Sequence, residues 1–140
     1  MKDLYYQPLA AYPVPNWSRP PRLLSVYPDD LASDALEMVH KVSEACGQKV
    51  IVNGEPASLA LPSGGSALVA AMQERDVPYV LVYGLQPAEL GARWMLKRYC
   101  WITYGASQYC FVDDAQKIAQ DQVLKRRLWD ALQVVRSTAA

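Results

Sequence analysis

Few residues of this chain have the chemistry for a reaction, and most sit in company that gives them other work. His40 is the single histidine. At a rotation of roughly 100° per residue it lies about 140° from the centre of its helix's apolar stripe, so it is expected to face water. No Ser-His-Asp or Cys-His arrangement forms around an outward histidine. Cys46, Cys100 and Cys110 make no CxxC pair and lack metal-ligand spacing. All three fall in apolar strand or helix runs, without the base or electropositive helix start that turns a thiol into a nucleophile. Asp29-Asp30 and Asp113-Asp114 are paired carboxylates, but neighbouring acids at a helix start point apart and serve as caps. Ser63-Gly64-Gly65-Ser66 ahead of a helix offers backbone N–H groups to an anion. It lacks the Lys-Ser/Thr ending of a P-loop and the full GxGxxG spacing. Glu89 follows a strand end, with no matching base or metal ligand in the sequence. These residues predict no catalytic group, no cofactor site and no metal site.

Recognition is better supplied. The first 21 residues carry five prolines, Pro8, Pro13, Pro15, Pro20 and Pro21, among Tyr5, Tyr6, Tyr12, Val14, Trp17 and Arg19. Proline fixes φ and removes a donor, so this arm is neither a helix nor a central strand; it reads as extended, partly polyproline II. Trp, Tyr and Arg dominate binding hot spots. Trp17, Arg19, Tyr12, Val14 and Tyr6 are therefore the candidate partner-binding residues. The expectation is an arm with no seat on its own domain, so that Trp17→Ala weakens partner binding while leaving the thermal midpoint nearly unchanged.

The elements behind the arm are those of a domain with a core. The chain has 140 residues, enough for one domain, and at 51% hydrophobic and 20% charged it is not a disordered chain. Lys plus Arg and Asp plus Glu number 14 each, a formal net charge of zero that argues against a nucleic-acid coat. The charge is uneven: Asp29 to Glu44 is acidic, Arg93, Lys97 and Arg98 cluster, and Lys117 to Arg136 is basic. Such asymmetry can orient an encounter. The odd cysteine count suits a reducing compartment. No apolar leader follows Met1-Lys2-Asp3 and no stretch approaches 18 apolar residues. A cytoplasmic chain that contacts no membrane is expected.

Residues 22–140 read as one α/β domain. Arg22 to Tyr27, Lys49 to Asn53, Tyr79 to Gly84 and Cys100 to Gly105 are expected strands, with Tyr109 to Val112 a possible fifth and Ala57 to Leu61 a short strand or loop. Asp29 or Asp30 is expected to cap a helix carrying Leu31, Ala35, Met38, Val39, Val42 and Cys46 on one stripe. A second helix runs from Ser63-Gly64-Gly65 through Arg75, and Gln86 to Gly91 is one helical turn. Asp113 or Asp114 caps a short helix, and Asp121 caps a long last one. Continuous apolar strands alternating with helices predict a three-layer Rossmann-like fold: a mostly parallel sheet of 4–5 strands with helices on both faces.

With these residues in place the chain resembles the psi subunit family of the bacterial DNA polymerase III clamp-loader assembly. The resemblance rests on Asn16-Trp17-Ser18-Arg19-Pro20 in the arm, the strand Arg22 to Tyr27 and the run Val80 to Gly91. It rests also on the closing Leu124-Lys125-Arg126-Arg127-Leu128-Trp129-Asp130-Ala131-Leu132. Glu55 to Arg75 matches only in its alternation of elements. The resemblance implies a non-enzymatic connector. Its arm would bind the clamp-loader ATPase subunits, with Trp17 matching the inserted tryptophan and Arg19 its companion. Its domain would bind a chi-like subunit and through it link indirectly to single-stranded DNA-binding protein, with no direct specific DNA binding. The fold pattern also resembles uracil-DNA glycosylases. Asp29 or Asp30 could stand for their water-activating residue, but no histidine stands near Val112-Asp113-Asp114. That alternative is a small enzyme acting on a nucleotide or DNA base; a self-associating structural domain is a third.

Overall fold

A computed structural model of the chain describes residues 10–137. Tyr6 and the rest of residues 1–9 lie outside the described residues. Five strands form the main sheet, in the order β4-β1-β5-β7-β6: β1 (Leu23–Pro28), β4 (Ser58–Leu61), β5 (Tyr79–Tyr83), β6 (Trp101–Tyr104) and β7 (Ser107–Val112). The β4, β1, β5 and β7 strands run parallel, and β6 closes one edge antiparallel to β7. With helices on both faces this is the expected Rossmann-like α/β architecture. The central strands are apolar on both sides because both sides are covered. In β5 all five residues are buried.

One face of the sheet packs under helices. The α1 helix (Ser33–Ala45) contributes Ala35, Val39 and Val42, and Cys46 follows it inward. α3 (Ala115–Ala119), α4 (Gln122–Ala131) and α5 (Gln133–Ser137) add Ile118, Leu128, Leu132 and Val135. Asp114 caps α3 through Gln116 N–H, and Asp121 caps α4 through Val123 and Leu124 N–H, as the sequence predicts. Arg22 ties the chain's two halves here, its guanidinium donating to Val135 O at 2.7 Å and to Cys46 O.

The opposite face has less helix. It carries α2 (Leu68–Met72), a 3-10 turn at Pro87–Leu90, and the segment before β1. The expectation of an arm without a seat on its own domain is overturned for residues 10–21. Val14 is 8% and Trp17 6% exposed, both within the core that includes Leu24, Leu59, Leu68 and Val80. The physical reason is area: a five-residue helix cannot cover a face that four helices cover on the other side, and a Trp and a Val fill what it leaves.

Four expected elements shift. The β-branched run Lys49 to Asn53 does not enter the main sheet. Its Ile51–Val52 (β2) pairs with Glu55–Pro56 (β3) in a separate two-stranded hairpin across Asn53-Gly54. Ile51 is 54% exposed. The place beside β1 goes to β4, whose Leu59 and Leu61 alternate inward. α1 starts at Ser33 behind Ala32, with no side-chain cap, rather than at Asp29 or Asp30. α2 covers only Leu68–Met72, because the chain before it is spent on a glycine turn and a bridge of Ala67 to Ala11. The last helix breaks at Leu132, leaving α4 and α5.

Candidate functional site

The strap formed by residues 10–21 is built by side chains and backbone that satisfy one another. Four of its residues, Pro13, Pro15, Pro20 and Pro21, have no N–H to strand against an apolar surface. Its carbonyls do need donors. Arg75 Nε donates to Pro15 O at 3.1 Å and Arg75 Nη2 to Val14 O at 3.3 Å. Ala10 O accepts from Ala67 N–H at 2.8 Å and from Ser66 Oγ at 2.9 Å. Trp17 buries its ring and donates its indole N–H to Pro56 O at 3.0 Å. Tyr12 is half-buried, its hydroxyl donating to Ala60 O at 2.8 Å, and burial raises its pKa. Strap and sheet are thus joined at the outer edge of β4.

Arg19 alone of the described candidates is exposed. It lines an open trough of about 380 Å³ with Arg22, Gln48, Lys49, Ile51 and Asn53. The trough lies at the amino end of β1, where Gln48 Oε1 accepts from both Arg22 N–H at 2.8 Å and Leu23 N–H at 3.0 Å. That carboxamide takes the place of a strand neighbour. The trough's free charges are positive, from Arg19 and Lys49. The structure therefore brings Tyr12, Val14 and Trp17 together on the inner side of the strap and leaves Arg19 on the outer side.

A second cleft, of about 240 Å³, opens at the carboxyl ends of β1, β4 and β5, lined by Asp29, Asp30, Ser63, Gly64, Gly84 and Glu89 among others. This is the topological switch point, where parallel sheets bind ligands. Its chemistry is sparse. The loop offers no anion cradle, because Gly65 N–H bonds Pro62 O at 3.0 Å and Ser66 N–H bonds Glu89 O at 2.9 Å. Gly65 is fixed by contact, since a Cβ there would sit 2.5 Å from Glu89 O. Glu89 itself accepts from Gln86 N–H at 2.9 Å. No basic residue lines the cleft, so a phosphate would meet only carboxylates.

The remaining reactive types are placed as packing groups. Cys46 and Cys110 are buried, and burial raises both thiols, Cys110 to about 12. Cys100 is half-buried rather than in the core, and His40 is half-buried rather than fully outward. The hydroxyls of Tyr83 and Tyr109 are buried among apolar side chains, which pushes both pKa values up and keeps them protonated. Asp113 is engaged by Tyr99 Oη at 2.7 Å, by Arg98 at 3.6 Å and by Lys117 at 3.9 Å. Among the described residues no group of three or more His, Cys, Asp or Glu gathers to hold a metal ion. None of their helices is long and apolar enough to cross a membrane.

Sequence reasoning missed two things here. Arg75, which holds the strap by its carbonyls, had no local signal, because its partners lie about sixty residues away. The trough was equally hidden, since it joins residues 19–22 to 47–53. No family model, curated protein or solved structure matches the chain.

Proposed function

We propose that the chain is a non-catalytic connector of the psi type, binding clamp-loader ATPase subunits through its N-terminal segment and a chi-like subunit through the α/β domain. The observation that carries this reading is the way the strap is attached. It lies on the sheet through Trp17, Val14 and Tyr12, a single bridge and side-chain donors to its carbonyls, and contributes no strand to the main ladder. It can leave without breaking a sheet. The same Trp17 then has two seats, one on its own domain and one on the partner. While the strap is seated, the exposed Arg19, with Lys49 and Ile51 in the adjoining trough, supplies a contact surface for the first encounter.

The test is a titration of purified clamp-loader subunits into the labelled protein. Arg19→Glu, a surface change, should weaken binding about tenfold or more with the thermal midpoint unchanged. Arg75→Ala should tighten binding, because it lowers the cost of lifting the strap. Equal affinity of wild type and Arg19→Glu, or no binding by the wild type, rejects the assignment.

A further inference from the structure

The two edges of the main sheet are treated differently. At β4 the strap comes alongside: Tyr12 bonds Ala60 O, and Trp17 bonds Pro56 O just before the strand. At β6 nothing comparable happens. Gly105, at φ 62, opens a two-residue turn joining Tyr104 to Ser107, so these two form a bonded pair, as do Ile102 and Tyr109. The ladder confirms the phase, because Gln108 N–H points the other way, to Pro78 O at 2.8 Å. The N–H and C=O groups of Trp101 and Thr103 therefore face outward. Among the described residues no backbone or side-chain group outside β7 bonds the backbone of residues 101–104. Sheet edges are normally blunted by a lysine, a proline or a covering segment, and none of these stands in Trp101–Tyr104.

The approach to this edge is basic. From Leu90 to Val112 the chain has Arg93, Lys97 and Arg98 and no acid. Arg98 is paired with Asp113, whereas Arg93 and Lys97 are exposed. Tyr104, 44% exposed, packs against Trp94, and Met95, 88% exposed, follows it in the chain, so apolar surface adjoins the basic run. The acids nearest in sequence to the far end, Glu74 and Asp76, precede the Val77 carbonyl that Ser107 bonds. Arg93 adjoins Trp94, whose ring packs on Tyr104 at the turn end, and Arg98 shortly precedes Trp101, so the basic run flanks the strand at both ends.

We propose that β6 is a docking edge for an extended, acidic segment of a partner protein, which adds as a sixth strand. The outward amides supply the ladder and the basic run selects the charge, as in strand addition generally. Single-stranded nucleic acid fits less well. The ring of Trp94 is packed against Tyr104, Tyr109 and Phe111, and Tyr99 is covered by Arg127 at 4.5 Å. Those aromatic faces are taken and are not free to stack on bases. The inference is independent of the role given to the strap.

The experiment uses the full chain and a fluorescein-labelled nonapeptide of alternating valine and glutamate, followed by anisotropy. Saturable binding that weakens with salt is expected, with slowed hydrogen exchange at the Trp101 and Thr103 amides. Thr103→Pro removes only an outward donor and should cut affinity tenfold or more. The double variant Arg93→Glu, Lys97→Glu tests the charge without touching the sheet and should do the same. The proposal is overturned by no binding, by equal binding of a peptide N-methylated at every position, or by an oligothymidylate that competes and binds tighter. Dimerisation of the free protein that Thr103→Pro abolishes would likewise overturn it, assigning the edge to a second copy.

Discussion

The two faces of the central sheet solve the same problem by different means. One is covered by α1, α3, α4 and α5, whose backbones satisfy their own hydrogen bonds and present apolar stripes. The other is finished by five residues of helix, a 3-10 turn and a strap with no internal hydrogen-bonded repeat. A strap must find an outside partner for each polar backbone group it buries. Proline reduces that demand by deleting donors, Val14 N–H turns back to Tyr12 O at 2.9 Å, and Arg75, Ser66 and Ala67 supply donors to the carbonyls of Val14, Pro15 and Ala10. The lesson concerns how proline-rich segments are read. The composition that marks a segment as extended and unpaired also marks one suited to lie on an apolar surface, its own included.

Removing the strap's anchor is the strongest way to break this comparison. Trp17→Ala should destabilise the fold by about 3–5 kcal/mol, the range for emptying a buried aromatic site, measured by denaturant unfolding. A loss near zero would mean that the strap merely drapes over a face that is complete without it. Loosening the strap's polar tie is a smaller change. Arg75→Ala removes two charge-assisted hydrogen bonds and should cost about 1–3 kcal/mol. Hydrogen exchange should quicken in residues 10–18 and stay unchanged in α1.

The smallest effect lies on the helix-covered face and appears only in alkali. Burial, and then its hydrogen bond to Asp113, raise Tyr99 to about 12, against an ordinary value of 10.0. The protonated form is the one the fold holds. Its contribution is therefore complete below pH 10 and is lost as the pH rises through about 12. The thermal midpoint should fall across that window, and Tyr99→Phe should shallow the fall. An unchanged slope in the variant would assign the loss to other groups.

Much of the fold was legible because burial writes itself into local runs. β1 and β5 are apolar on both sides and could hardly be mistaken, whereas β7, read only as a possible strand over Tyr109 to Val112, begins with the polar Ser107 and Gln108. Asp114 and Asp121 cap where a carboxylate ahead of a helix should. Legibility failed where two local signals competed. Lys49 to Asn53 looks more like a strand than Ser58 to Leu61, but Asn53-Gly54 folds it back on itself after two residues, and the shorter run takes the place beside β1. The seat of Trp17 was not legible at all. Its bond to Pro56 spans 39 residues, and nothing near Trp17 in sequence distinguishes a groove on its own sheet from one on another protein. The strand-end cleft was equally hidden, because its acidic lining shows only when three distant loops are assembled.

The seating of the strap also inverts the order in which the chain is made. Trp17 leaves the ribosome long before Pro56, which accepts its indole N–H, and Arg75, which holds the strap's carbonyls beside it, so the nascent protein must carry an unhoused indole until half the polypeptide exists. Sequences that delay or mistime the middle of the chain should therefore expose this ring to chaperones first, ahead of any residue of the helix-covered face.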